Sequence, residues 1–287
     1  TPASADKPST HANRNAAGSA VDDLDRSAQD LATQGISEAK SHGQSQLLDS
    51  LPELATRLDN VYRHFTRTSA DEVKSVYAGG WLLDNYALLD QTHQEIKGDL
   101  PLGYYRLLPT LAAQGACCGY PRALALARTY AINEACQFDG RRFARFVTVY
   151  QEQQQLTMGE IWALPIMLRL VFLTSVVQAG ERLAGISSYA EQTDAPFDAA
   201  LDLMHLADDS EVVAQSIPSL RLINAEDWNA FFEQVSPVHR TLCDDPAGVY
   251  AHMDFATRDR YRNEIEAIAR TASLAEQTVA RVALELA

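Results

Sequence analysis

Several common chemistries have no signature in this sequence. It holds no P-loop, no Gly-x-Gly-x-x-Gly turn, no His-Glu-x-x-His pair and no Gly-x-Ser-x-Gly elbow, the spacings that cradle phosphates, ligate zinc or present a nucleophilic serine. Cysteine is sparse: Cys117, Cys118, Cys136 and Cys243, with no Cys-x-x-Cys pair. The adjacent Cys117 and Cys118 place their Cβ atoms badly for a structural disulfide, so reduced thiols, as in a cytoplasm, are expected. Positive charge is the scarcer sign, with 24 Lys and Arg against 38 Asp and Glu and a formal net charge of −14. Such a balance repels phosphate backbones and anionic lipid, which argues against nucleic acid as a partner. Long apolar runs are few. The strongest, Ile161 to Val177, is short for a bilayer span and carries Arg169 near its centre, so a buried core helix is expected there and no membrane span.

What is present is helical. The 287 residues are 46% hydrophobic and 22% charged, ordinary values for a chain that buries a core. Ser69-Ala-Asp-Glu72, Thr157-Met-Gly-Glu160 and Ser273-Leu-Ala-Glu276 read as capping boxes, with Asn224 and Asp227 as a looser version. They place helix starts near 70, 158, 225 and 274; further helices are expected over 52–66, 104–113, 121–137, 141–154, 196–207 and 258–271. No segment alternates with period two, so the fold class is all-α, an array of antiparallel helices without strands. The helix from Ala70 to Lys97 is apolar nearly all round, and Gly79 and Gly80 in its middle imply a tight crossing or a break. At the C-terminus, Tyr261, Ile265, Ile268 and Ala272 form one stripe and Val279, Val282 and Leu286 another, as in a helical hairpin.

Residues 1–45 are rich in Ala, Ser, Thr, Gly and Asn; a disordered low-complexity tail is expected, with a short helix around Val21 to Ala32. Thr1 to Ala20 offers neither an initiator Met nor the apolar stretch of a signal peptide, as expected of a trimmed fragment. The remaining organisation reads as a first helical cluster over 46–185, a linker with a short helix over 186–217, and a second cluster over 218–287 that ends in the hairpin.

Candidate site residues are few. Asp84 and Asn85 interrupt an apolar helix; a carboxylate there could work as a general acid or base, or pair with Arg106, Arg122 or Arg169 to set helix registry, and the structural role is the expectation. Glu160 and Trp162 could stack on and bind a sugar, but Glu160 is already the third residue of a capping box, which is its expected role. Tyr104, Tyr105 and Arg106 form either a sugar or partner contact or a packed pair of phenols with a paired guanidinium. His239 and Cys243 share a helix face without a third ligand, so a surface histidine, a buried thiol and no metal are expected. Arg258 to Arg262 looks basic, yet Arg262, Glu266 and Arg270 have the spacing of an exposed ion-pair ladder. No catalytic residue and no cofactor are expected.

Five runs, taken in order, resemble one family. They are WLLDNYALLDQTHQEIKGDLPLGYYRLLPTLA over 81–112, GYPRALALA over 119–127, FVTVYQEQQQLTMGEIWALPIMLRL over 146–170, INAEDWNAFFEQVSPVHRTL over 223–242 and DPAGVYAHMDFATRDRYRNEIEAIAR over 245–270. Together they resemble the N-terminal region of bacterial cyclic β-1,2-glucan synthases. The resemblance implies a very large inner-membrane protein of Gram-negative bacteria that uses UDP-glucose to elongate and cyclise a glucan. The family's transferase domain, membrane spans and phosphorylase-like domain have no counterpart in these 287 residues, so no catalytic position carries over. The stretch at roughly 186–220 is compressed relative to the family, and Ala287 falls where more family sequence would follow. The expectation is therefore a non-catalytic scaffold or regulatory segment, cytoplasmic at the inner face of the inner membrane. Its partners would be the transferase and membrane domains of the synthase, with glucan as a further candidate. Two alternatives stay open: a helical sugar-active enzyme or glucan-binding module, and a stand-alone helical adaptor.

Overall fold

A computed structural model describes residues 23–37, 43–68, 77–112, 117–186, 201 and 208–286. The described chain is all-α, as the periodicity implies, with almost no strand. Helix α1 covers residues 23–32, α2 Gly43–Arg67, α3 Tyr77–Asp84, α4 Tyr86–Asp99 and the one-turn α5 Leu102–Tyr105. Then come α6 Arg122–Asn133, α7 Gly140–Gln151, α8 Met158–Leu183, α9 Asp209–Ala225, α10 Trp228–Val235 and α11 Pro237–Cys243, before the closing pair α12 Phe255–Ala272 and α13 Glu276–Leu286. Two short strands, β1 Ile36–Ser37 and β2 Thr110–Leu111, pair antiparallel.

Helix α8 is the axis. Its apolar run, expected to be core, has 89% of its most apolar 18-residue window buried inside the protein, and α2, α4, α6 and α9 pack around it. Its start is the expected capping box: Thr157 Oγ1 accepts the Glu160 N–H at 3.2 Å while Glu160 accepts the Thr157 N–H at 2.9 Å. Arg169, the charge inside the run, donates to Asn224 Oδ1 at 2.8 Å and lies 3.6 Å from Glu95. Two buried ion pairs fix neighbours on this axis. Arg57 of α2 grips Glu181 bidentately at 2.9 and 2.7 Å, and Arg122 of α6 grips Glu160 through Nε and Nη2.

Helix α2 crosses α3 and α8 where glycines give it room. A Cβ on Gly180 would lie 2.8 Å from Val61 Cγ1, and one on Gly79 would lie 2.8 Å from Phe65 Cδ1. Gly79 therefore serves the tight crossing. The break in the expected Ala70–Lys97 helix falls instead at Asn85, between α3 and α4, while residues 70–76 lie outside the described residues.

Other boundaries also differ from the sequence reading. The helix expected over 104–113 ends at Tyr105, because Pro109 cannot donate and disfavours helical backbone before it, and Thr110–Leu111 pairs with β1 instead. The helix expected to reach 137 stops at Asn133, since Ala135 and Cys136 turn into the left-handed region at φ 47° and 60°. Ser219 of α9 clamps that turn, donating to Cys136 O at 2.9 Å and accepting from Phe138 N at 3.0 Å. Ser273 is likewise left-handed, at φ 54°, and terminates α12 rather than opening α13. The capping box expected at Ser273 is thus absent, and the Glu276 carboxylate turns elsewhere. The Ser69 box and the 196–207 helix lie outside the described residues, apart from Leu201.

Residues 23–37 join the fold although a mobile tail is expected up to 45. The stripe Leu24, Ala28 and Leu31 is buried, and Asp25 pairs with Arg145 at 2.5 Å. Helix α9 begins inside the expected linker and packs on α8, so the apolar core runs without a break from Leu24 to Ala280. In the hairpin the buried stripe is Arg262, Ile265 and Ala269, whereas Tyr261 and Ile268 are exposed, as are Val282 and Leu286. The expected stripe is rotated by about one residue, and Arg262 causes it. Its guanidinium lies between the Phe232 and Phe255 rings, 4.9 and 4.6 Å from their centroids, with Glu233 at 3.1 Å.

Candidate functional site

The sequence candidates do not converge. Asp84 is exposed, so it is neither a buried acid nor the partner of Arg106, Arg122 or Arg169. Asn85, at the break between α3 and α4, is buried instead; it donates to Trp81 O at 2.8 Å and accepts from Arg221. Arg106 is exposed, and Tyr105 is wholly buried with no hydrogen bond to its hydroxyl among the described residues. Burial, with Tyr120 adding to it, pushes the Tyr105 hydroxyl far above the ordinary phenol range.

Glu160 and Trp162 serve the packing. Glu160 has no exposed surface and accepts from Arg122, from Thr157 N–H and from Thr157 Oγ1 at 3.0 Å. Burial pulls the Arg122 guanidinium down, yet the hydrogen bond and charge of Glu160, with Tyr150 adding to them, more than offset this and hold it above its ordinary value. Trp162 stacks on Phe232 at 4.6 Å and 17° and meets Phe255 edge-on at 6.3 Å. One indole face is therefore already covered.

His239 and Cys243 do approach, with Sγ 3.5 Å from Nε2, but here the thiol is exposed and the histidine half-buried, the reverse of the expectation. Burial lowers the imidazole pKa, and its Nδ1 lies 3.2 Å from Tyr250 OH. Among the described residues, no three His, Cys, Asp or Glu side chains gather at one point. The ion-pair ladder is half present: Arg270 reaches Glu266 at 2.5 Å, while Arg262 turns inward.

One candidate does open onto a cleft. Tyr104 of α5 donates to Gly159 O at 2.6 Å, and this contact lines a hollow of about 660 Å³ between α5, the start of α8 and the α12–α13 turn. Leu107 and Leu108 form one wall, Leu274 and Ala275 the other, with Thr157, Glu266 and Glu276 between them. Glu276 accepts the Met158 N–H at 2.8 Å, so the first residue of α13 caps the first residue of α8. Burial raises this carboxyl to about 7, helped by Glu266 and Glu160, against the opposing pull of the Met158 N–H and Arg270. Burial also lifts the Tyr104 hydroxyl well above its ordinary value, with Glu266 and Glu160 adding to it.

The sequence reading missed the cleft because its two carboxylates already had local roles, Glu266 in the ladder and Glu276 in a capping box. No signal in the sequence marks Ser273 as left-handed, the conformation that frees Glu276 from that box.

No protein-family model matches the chain. Among curated proteins the chain is similar to the cyclic beta-(1,2)-glucan synthase NdvB of Rhizobium meliloti (strain 1021), at 26% identity over 329 residues that take in 93% of this chain. The chain spans 12% of that protein's length. It is therefore similar, over nearly all of its own extent, to a small part of a cyclic β-1,2-glucan synthase, consistent with the N-terminal region.

Proposed function

We propose that this chain is a non-catalytic helical docking and regulatory segment of a cyclic β-1,2-glucan synthase. The similarity supports the relationship to the synthase. What supports the non-catalytic role is how the polar side chains are used. Glu160, the one candidate acid fully removed from water, accepts three kinds of bond from Arg122 and Thr157 and so holds α6 against α8. A general acid or base must reach the reacting group, and both oxygens of this buried carboxylate are already engaged by Arg122 and Thr157. Trp162, its companion in a sugar-stacking reading, spends one ring face on Phe232. The transferase and membrane domains of the parent protein are the partners, at the inner face of the inner membrane.

The test is to delete the matching segment from a synthase in cells and to supply residues 23–287 as a separate chain. Loss of cyclic glucan on deletion, and partial recovery on supply, is the expected result. Normal yield and ring size from the deleted synthase would show that docking is not the role.

A further inference from the structure

The cleft beside Tyr104 carries a charge that its own walls leave unbalanced. Three carboxylates stand at or beneath it. Glu160 is held by Arg122 and Glu266 by Arg270. Glu276 differs. Among the described residues no Lys or Arg makes an ion pair with it, and its one hydrogen bond is from the Met158 N–H. Its neighbours on the cleft rim are apolar and open: Leu107 is 55% exposed on one wall and Leu274 54% on the other.

We propose that this cleft seats a lysine or arginine side chain, carried between apolar residues on a segment of a partner protein. The proposal rests on the docking role and names the surface that performs it. The long aliphatic stem of such a side chain would lie along the leucines while its head reaches the carboxylate. A charge-assisted hydrogen bond to the carboxylate is roughly twice as strong as a neutral one. The charged and polar groups facing Glu276 are Glu160 and the Met158 N–H from α8, Glu266 and Arg270 from α12, with the Tyr104 hydroxyl on the α5 wall. Only Arg270 is a cation among them, and it is engaged by Glu266. An incoming cation favours the ionised Glu276, so occupancy is linked to loss of its proton and strengthens as pH rises from about 6 to 8.

The experiment uses the full chain with labelled leucine methyls and a probe tripeptide, N-acetyl-leucyl-lysyl-leucine amide, with the norleucine analogue as its uncharged twin. Expected are methyl shifts confined to Leu107, Leu108 and Leu274, with affinity rising between pH 6 and 8. Binding should weaken at least tenfold in Glu276→Gln, and equally with the norleucine peptide on the unaltered protein. Glu264→Gln, the same charge change on an exposed outer position of α12, should leave binding within twofold. Equal weakening in Glu264→Gln, shifts spread over the surface, or undiminished binding of the norleucine peptide would each overturn the proposal. Broadening of the same methyls by phosphatidylcholine vesicles would overturn it in favour of a lipid surface. The docking role itself stands or falls separately on the deleted synthase: should deletion abolish the product while the tripeptide fails to bind, docking uses another face.

Discussion

Replacing Arg122 by Met and Glu160 by Leu, singly and together, separates a structural ion pair from a working acid. Both side chains are buried, with the Arg122 and Glu160 side chains 4% and 0% exposed. Removing one partner leaves the other as an uncompensated buried charge, which costs about 3–5 kcal/mol. Glu160→Leu also removes half of the capping box, worth about 1 kcal/mol more. Arg122→Met leaves Gln155 O without its 2.7 Å donor as well. In the double variant no charge is stranded, and well-packed apolar replacements of such pairs are often close to neutral. Only the lost cap and the orphaned carbonyl remain, about 1–3 kcal/mol in total. The sum of the two single losses therefore exceeds the double loss by at least about 5 kcal/mol, far outside the additivity expected of independent sites. Urea denaturation followed by far-UV circular dichroism measures this directly. Single variants that lose less than about 1 kcal/mol, or a strictly additive double variant, would refute the buried-pair reasoning.

Neighbouring glycines give an internal contrast: Gly79→Ala, whose Cβ would meet the buried Phe65 ring, should destabilise by about 1–2 kcal/mol, while Gly80→Ala, with open space around it, should stabilise by about 0.5–1 kcal/mol. Thermal melts of the two variants moving in the same direction would count against the tight crossing. Glu276 has a folded pKa of about 7, above its ordinary 4.5, so its contribution is fully present below about pH 4.5 and is lost as pH rises through 7. Allowing for partial solvent contact, the loss is about 2–3 kcal/mol, and Glu276→Gln should be the more stable protein at pH 8 but not at pH 4.5; equal stability curves would refute the raised pKa. Calorimetry with millimolar β-1,2-glucan should give no saturable heat, and a saturable isotherm would favour the glucan-binding alternative.

Helices with a local cause were legible from the sequence. The Thr157 capping box and the apolar Ile161–Val177 run set the start and the burial of α8, and both depend on residues within one helix. The C-terminal face was misread because Arg262 counts as polar in any apolar pattern, yet two phenyl rings and Glu233 make its burial favourable. Helix ends failed for a related reason. Nothing local marks Ala135, Cys136 or Ser273 as left-handed, since a turn held by Ser219 or by the Ala269 carbonyl is set by packing. Of the site candidates, Glu160 was placed correctly through its cap, whereas its partner Arg122 comes from 38 residues away and leaves no trace in spacing. The cleft around Tyr104 gathers three separate segments, so only the fold reveals it.

The central claim is that these helices bury one another and present a surface while no bond is made or broken on them. Its most direct test is to incubate the purified chain with radiolabelled UDP-glucose and a β-1,2-glucan primer, and to follow release of UDP and growth or cleavage of glucan. The account predicts no turnover above the protein-free control at any pH from 5 to 9. Sustained release of nucleotide, or a change in glucan length that scales with the amount of this chain, would contradict it.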